Sequence, residues 1–182
     1  MTTNTAAAAG ESLRRLYFVR FGFALVWAGL LFATASSLGP VSLALLVLYP
    51  LFDAVAAVLD ARTAKAGKPI AALYANVAIS LLAAAGLAVA GASGIPAVLR
   101  VWGAWAVVAG LVQLAVAIPR RRLGGQWPMI ISGAISVLAG GSFIAGASAA
   151  DPALTNAVGY AVPGAIFFLI AAIRLGRAAK GN

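Results

Sequence analysis

Six long runs of apolar residues, separated by short polar or basic segments, constrain the fold of this chain more than any other feature. The runs cover residues 16–35, 40–59, 70–92, 95–118, 127–149 and 154–173. A hydrocarbon core about 30 Å thick takes roughly 20 apolar residues of helix to cross, and each run has about that length. The runs are apolar on every face, which excludes the alternating strands of a membrane β-barrel. The sequence therefore predicts an all-α polytopic membrane protein whose six transmembrane helices form three hairpins with short connections.

The composition agrees with a membrane protein and excludes most kinds of catalytic and metal-binding site. Hydrophobic residues make up 63% of the 182 positions and charged residues only 9%, whereas soluble domains carry about 25% charged residues. The chain has no Cys and no His, which removes disulfides, thiolate nucleophiles, imidazole metal sites and the usual general base. Phosphate-loop motifs and carboxylate pairs with acid and base spacing are absent from the sequence. We therefore expect a non-enzymatic protein without cofactor or metal.

The basic residues predict the orientation in the membrane. Twelve of the 13 fall on one side of the predicted helices, leaving only Arg100 opposite. The twelve are Arg14, Arg15, Arg20, Arg62, Lys65, Lys68, Arg120, Arg121, Arg122, Arg174, Arg177 and Lys180. Under the positive-inside rule both termini are cytoplasmic, as an even number of crossings requires. We expect a disordered cytoplasmic tail over residues 1–13, a single transmembrane domain over 14–177 and a cytoplasmic tail over 178–182.

The formal charge of +9 also bears on partners. Topology and attraction to anionic lipid explain this charge better than nucleic-acid binding does. The triplet Arg120, Arg121 and Arg122 is interpreted first as a topology anchor, with binding of lipid headgroups as the alternative.

Asp53 is the most unusual residue of the predicted helices, because it lies on the order of 10 Å inside the membrane boundary. A carboxylate at such a depth costs roughly 2.5–3.5 kcal/mol, so we expect it to face the interior and to be paired or protonated. Asn76, Gln113 and Ser132 lie at matching depths, and the long side chain of Arg20 reaches the same layer. We expect Arg20, Asn76 or Gln113 to be the nearest polar partner of Asp53. This polar layer is either a pocket for an ion, a proton or a small polar solute, or a set of interhelical hydrogen bonds with Arg20 neutralising Asp53.

Small residues form two neighbouring stripes on the fifth predicted helix. They are Ser132, Gly133, Ser136, Gly140 and Gly141. Such stripes allow close approach of another helix. The approaching helix belongs either to the same subunit or to a second copy across a homo-oligomer seam.

Aromatic residues indicate a threefold repeat of one hairpin, with spacings of 53 to 57 residues. One set near the starts of helices 1, 3 and 5 is Tyr17, Tyr74 and Trp127. A second set within helices 2, 4 and 6 is Tyr49, Trp105 and Tyr160. The first set is expected to anchor the helices at the membrane interface.

Two segments resemble a known family. They are VWGAWAVVAGLVQLAVAIPRRR at residues 101–122 and GQWPMIISGAISVLAGG at residues 125–141. Both resemble the HdeD-like family of small bacterial membrane proteins, which is built from repeated transmembrane hairpins, and the resemblance covers roughly residues 99–177. It implies a bacterial inner-membrane protein associated with acid or envelope stress, and it transfers no catalytic residue.

Two functions follow as hypotheses. The first is a non-enzymatic membrane protein of the HdeD-like kind that acts through lipid, through other membrane proteins or through copies of itself. The second is a small transporter or channel for a proton, an ion or a small polar solute that uses the layer around Asp53. A polar cavity through both leaflets would indicate the second, and a closed bundle would indicate the first.

Overall fold

Long helices account for most of the protein in a computed structural model that describes residues 2–63 and 69–180. They are α1 (Thr2–Thr34), α2 (Pro40–Thr63), α3 (Ile70–Ala90), α4 (Ile95–Ala117), α5 (Gln126–Gly146) and α6 (Thr155–Lys180). Short 3-10 turns lie at Gly91–Ser93 and Arg121–Leu123. Within these residues there is no strand, and six helices are long and apolar enough to cross a membrane. The predicted all-α polytopic fold is confirmed; Lys65 and Lys68 of the predicted cytoplasmic loop lie outside the described residues.

The beginning of α1 differs from the prediction of a disordered tail over residues 1–13. The helix begins at Thr2 and runs through this segment without a break. Alanines at positions 6 to 9 favour helix. Glu11 then pairs with Arg14 at 3.4 Å and with Arg15 at 3.2 Å, three and four residues further along the same helix. At the other terminus α6 continues to Lys180, inside the segment predicted as a tail.

The described helices form a closed ring. Each helix packs against its neighbours in the chain, and α6 packs back against α1. The most extensive contacts are α4–α5, α1–α6 and α2–α3, which join one hairpin to another instead of lying within a hairpin. Leu13 of α1 and Leu175 of α6 share one apolar cluster, so both termini lie at the same end of the bundle, called here the termini end.

Paired glycines bring α4 and α5 into backbone contact. A Cβ atom added to Gly140 would lie 2.5 Å from the carbonyl oxygen of Gly103, and one added to Gly110 would lie 2.7 Å from the carbonyl oxygen of Gly133. Gly133 and Gly140 therefore pack inside the subunit. Gly141 does not, because one residue turns the helix by about 100° and leaves Gly141 exposed with open space around it; for this residue the seam with a second copy stays a prediction.

An aromatic and aliphatic core fills the half of the bundle that lies away from the termini end. Trp27 stacks on Trp102 with ring centroids 5.5 Å apart, and both indoles are buried. All six described helices contribute to this cluster. We call it the distal core, and the polar layer predicted around Asp53 lies in the other half.

Candidate functional site

A cavity of about 110 Å³ lies inside the ring, in the half nearer the termini end. It is bounded toward the distal core by Tyr49, Trp105 and Tyr160, and its other end lies near Asp60 and Gln126. Every described helix contributes to its wall. All five residues of the predicted polar layer line it, namely Arg20, Asp53, Asn76, Gln113 and Ser132.

Asp53 is held through both of its carboxylate oxygens. Arg20 Nη1 lies 2.9 Å from Oδ1. Asn76 Nδ2 donates to Oδ2 at 2.5 Å, and Ser80 Oγ donates to the same oxygen at 3.0 Å. Trp105 Nε1 in turn donates to Ser80 Oγ at 3.1 Å. Of the three expected partners, Arg20 and Asn76 bond to Asp53 and Gln113 does not, and the network ties together four consecutive helices.

Burial makes this network energetically important. The side chains of Arg20 and Asp53 are only 15% and 14% exposed. Charged hydrogen bonds in a medium of low dielectric are stronger than in water, and a lost partner is correspondingly costly. The guanidinium of Arg20 also lies over the ring of Phe168, 5.3 Å from its centroid. Arg20 therefore links α1 to α2 and to α6.

Sequence reasoning missed Ser80 and Trp105. Asn76 and Ser80 are four residues apart, so both face the same side of α3. That spacing, combined with the depth of Asn76, is the sequence signal from which Ser80 could have been predicted. Trp105 carried no such signal, because an indole N–H in an apolar helix has the same sequence pattern whether it faces lipid or a buried hydroxyl.

Gln113 and Ser132 line the cavity but belong to a second polar group. Gln113 Nε2 donates to the carbonyl oxygen of Met129 at 2.7 Å, which links α4 to α5. The hydroxyl of Ser136 donates to the carbonyl oxygen of Ser132 at 2.9 Å and lies 2.6 Å from the hydroxyl of Tyr160. The layer predicted from depth alone is therefore two neighbouring groups, and of its members only Arg20 and Asn76 contact Asp53.

A second ion pair corrects the assignment of Arg120 to the lipid headgroups. Arg120 Nη1 lies 2.7 Å from Asp60 Oδ2, and the Arg120 side chain is only 5% exposed. Arg120 is therefore turned into the bundle, where it neutralises Asp60, and it is not a headgroup residue. Arg121 and Arg122 are exposed, as expected of residues at a membrane surface.

The aromatic repeat also needs one correction. Tyr74 and Trp127 are 55% and 58% exposed, as interfacial anchors are. Tyr17 is buried instead, because its hydroxyl donates to Gln126 Oε1 at 3.4 Å and its ring packs 5.8 Å from that of Phe168.

The second aromatic set is brought together by the ring. Tyr49, Trp105 and Tyr160 all line the cavity. The positions four residues further on, Asp53, Ala109 and Gly164, line it as well. Equivalent positions of the three hairpins thus surround one space, and only the first hairpin places a charge there.

The charges at the cavity balance. Arg20 offsets Asp53, and Arg120 offsets Asp60. Among the described residues, no group of three or more His, Cys, Asp or Glu side chains could hold a metal ion. Chemically the space suits water or a small uncharged polar molecule, because a net charge inside it would lack a counterion.

These features define a multi-pass integral membrane protein with a polar cavity in one half of its helical ring. No family model, curated protein or solved structure matches this chain. The HdeD-like resemblance therefore stays a prediction.

Proposed function

We propose that this is a non-enzymatic, non-conducting protein of the bacterial inner membrane, with both termini in the cytoplasm. It acts in acid or envelope stress adaptation through interactions with anionic lipid, other membrane proteins or copies of itself. The observation that carries the proposal is the closed distal core. The resemblance to the HdeD-like family supports the stress role, and the one-sided distribution of basic residues supports the orientation.

The distal core argues against conduction. Trp27, Trp102 and Leu31 are at most 1% exposed and occupy the half of the bundle that an ion would have to cross beyond the cavity. An ion in hydrocarbon needs polar groups along its path. In the described structure the cavity lining stops at Tyr49, Trp105 and Tyr160. Asp53 also has both oxygens engaged, so it is not free to coordinate a passing cation.

The cavity itself favours a second candidate function, which is binding or transport of a small polar solute. It has room for such a molecule and offers both hydroxyl and amide groups. Transport would require the distal core to open, whereas simple binding would not. The two candidates are separated by whether the protein makes a membrane leaky.

We expect vesicles that contain the purified protein to hold an imposed proton gradient as long as protein-free vesicles do. The physical reason is the apolar distal core, which offers protons no polar path. The decay of a pH-sensitive dye enclosed in the vesicles measures this. A leak that Asp53→Asn abolishes would contradict the proposal and would favour the transporter.

We expect a reporter enzyme that is active only outside the cytoplasm to be silent when fused after Asn182. The same reporter should be active when inserted near Gly39 or Asp151, which lie at the opposite end of the bundle. The clustering of basic residues on one side is the physical basis. Activity after Asn182 together with silence at Gly39 would show the reverse orientation.

A further inference from the structure

An open groove runs along the outside of the bundle at the termini end, between the start of α5 and the last turns of α6. It measures about 630 Å³, and its lining includes Trp127, Ile170, Ile173, Arg174 and Arg177. It shares no lining residue with the internal cavity. The groove is therefore a separate surface feature that faces the surroundings of the protein.

The groove is graded from apolar to basic. Ile170, Ile173, Arg174 and Arg177 follow the spacing of one helix face, with the isoleucines further from the termini end. Trp127 forms part of the wall on the α5 side and is 58% exposed. In a membrane this order puts aliphatic side chains beside acyl chains, an indole at the interface and two guanidinium groups at phosphate level.

The two arginines of the groove have no carboxylate partner within the described residues. The chain has only four acidic side chains. Three of them pair with other arginines, as Glu11 with Arg14 and Arg15, Asp53 with Arg20, and Asp60 with Arg120. The fourth, Asp151, lies at the opposite end of the bundle. Within the described residues the charge of Arg174 and Arg177 is therefore not neutralised, and guanidinium groups suit an external phosphate particularly well.

We propose that this groove binds the phosphate headgroup of an anionic phospholipid, with Arg174 and Arg177 contacting the phosphate and the acyl chains lying along Ile170 and Ile173. The inference deepens the proposed interaction with lipid and rests on it. It does not depend on whether the bundle conducts, so the vesicle leak test and the binding test below can fail separately.

Trp127 provides the readout. The other three tryptophans, Trp27, Trp102 and Trp105, are at most 6% exposed, so a quencher in the bilayer reaches the indole of Trp127 first. The full-length protein is reconstituted in equimolar phosphatidylcholine and phosphatidylglycerol, with brominated acyl chains on one lipid or the other. Brominated chains quench tryptophan on contact. We expect brominated phosphatidylglycerol to quench more strongly, with a relative association constant raised about fivefold for each arginine that contacts the phosphate.

Two double variants with equal loss of charge test the site. Arg174→Gln with Arg177→Gln should abolish the preference for phosphatidylglycerol. Arg121→Gln with Arg122→Gln should retain it, because these exposed arginines lie at the same end but outside the groove. Circular dichroism of both variants should show unchanged helix content, since all four side chains are exposed.

A last experiment distinguishes binding of a lipid headgroup from binding of free phosphate. The preference should persist when inorganic phosphate replaces chloride at the same ionic strength. The proposal is overturned if the wild type quenches equally with both lipids, if the two double variants lose the preference equally, or if inorganic phosphate removes it.

Discussion

Asp53→Asn is expected to lower the free energy of unfolding by about 3 kcal/mol, the lower end of the range for breaking a buried ion pair. The amide can still accept from Asn76 and Ser80, but it leaves the guanidinium of Arg20 without its counter-charge in a site where that side chain is only 15% exposed. Unfolding by a denaturing detergent, followed by circular dichroism, measures the change. The fluorescence of the buried tryptophans should change at the same detergent fraction.

Two comparisons make this result specific to the ion pair. Asp151→Asn is the same chemical change at an exposed carboxylate, and it should alter stability by less than about 0.5 kcal/mol. The double variant Arg20→Gln with Asp53→Asn leaves no unpaired charge and should recover part of the lost stability. Equal stability of Asp53→Asn and Asp151→Asn would show that Arg20 does not depend on Asp53.

Gly140→Ala is expected to destabilise the protein by about 1–3 kcal/mol, the usual range for overpacking a tight interface. The added methyl group would lie 2.5 Å from the carbonyl oxygen of Gly103 and 2.7 Å from the backbone nitrogen of Val107. Backbone atoms cannot rotate away as a side chain can, so α4 and α5 must separate. The same detergent titration measures the loss.

Gly141→Ala is the matched control, one residue further along the same helix. A Cβ atom there meets nothing within 4 Å, and alanine favours helix over glycine by about 1 kcal/mol. We expect this variant to be as stable as the wild type or slightly more stable. If Gly141→Ala instead destabilises the protein more than Gly140→Ala, then the exposed side of α5 is the tighter interface, as in a homo-oligomer.

The elements of the fold were predictable because the signal for each is local. A run of apolar residues long enough to cross a bilayer is a property of one stretch of chain, so each of the six described helices contains nearly all of one predicted run. The pairing of Asp53 was predictable for a different reason. The cost of an isolated carboxylate at its depth is so large that it requires a partner, and few polar residues lie at that level.

The contacts that were not predictable from sequence depend on how each helix is rotated about its axis. Arg120 was wrongly assigned to the lipid headgroups and the neighbour of Gly141 was left open, because sequence indicates which residues share a face but not which neighbour that face meets. Arg120 faces the interior because its guanidinium group bonds to Asp60 of α2, which is 60 positions away in the sequence. Gly141 turns outward because Gly140 fits against Gly103. Such choices are fixed by all the neighbouring helices at once.

The contact between α1 and α6 has a consequence for the synthesis of the protein. The first helix to leave the ribosome packs extensively against the last, so its inner face stays incomplete until almost the whole chain has been translated. Arg20 can pair with Asp53 as soon as α2 has been synthesised, but it can contact Phe168 only after α6 has been synthesised. Chains truncated before α6 therefore expose the flank of α1 on which the ring normally closes.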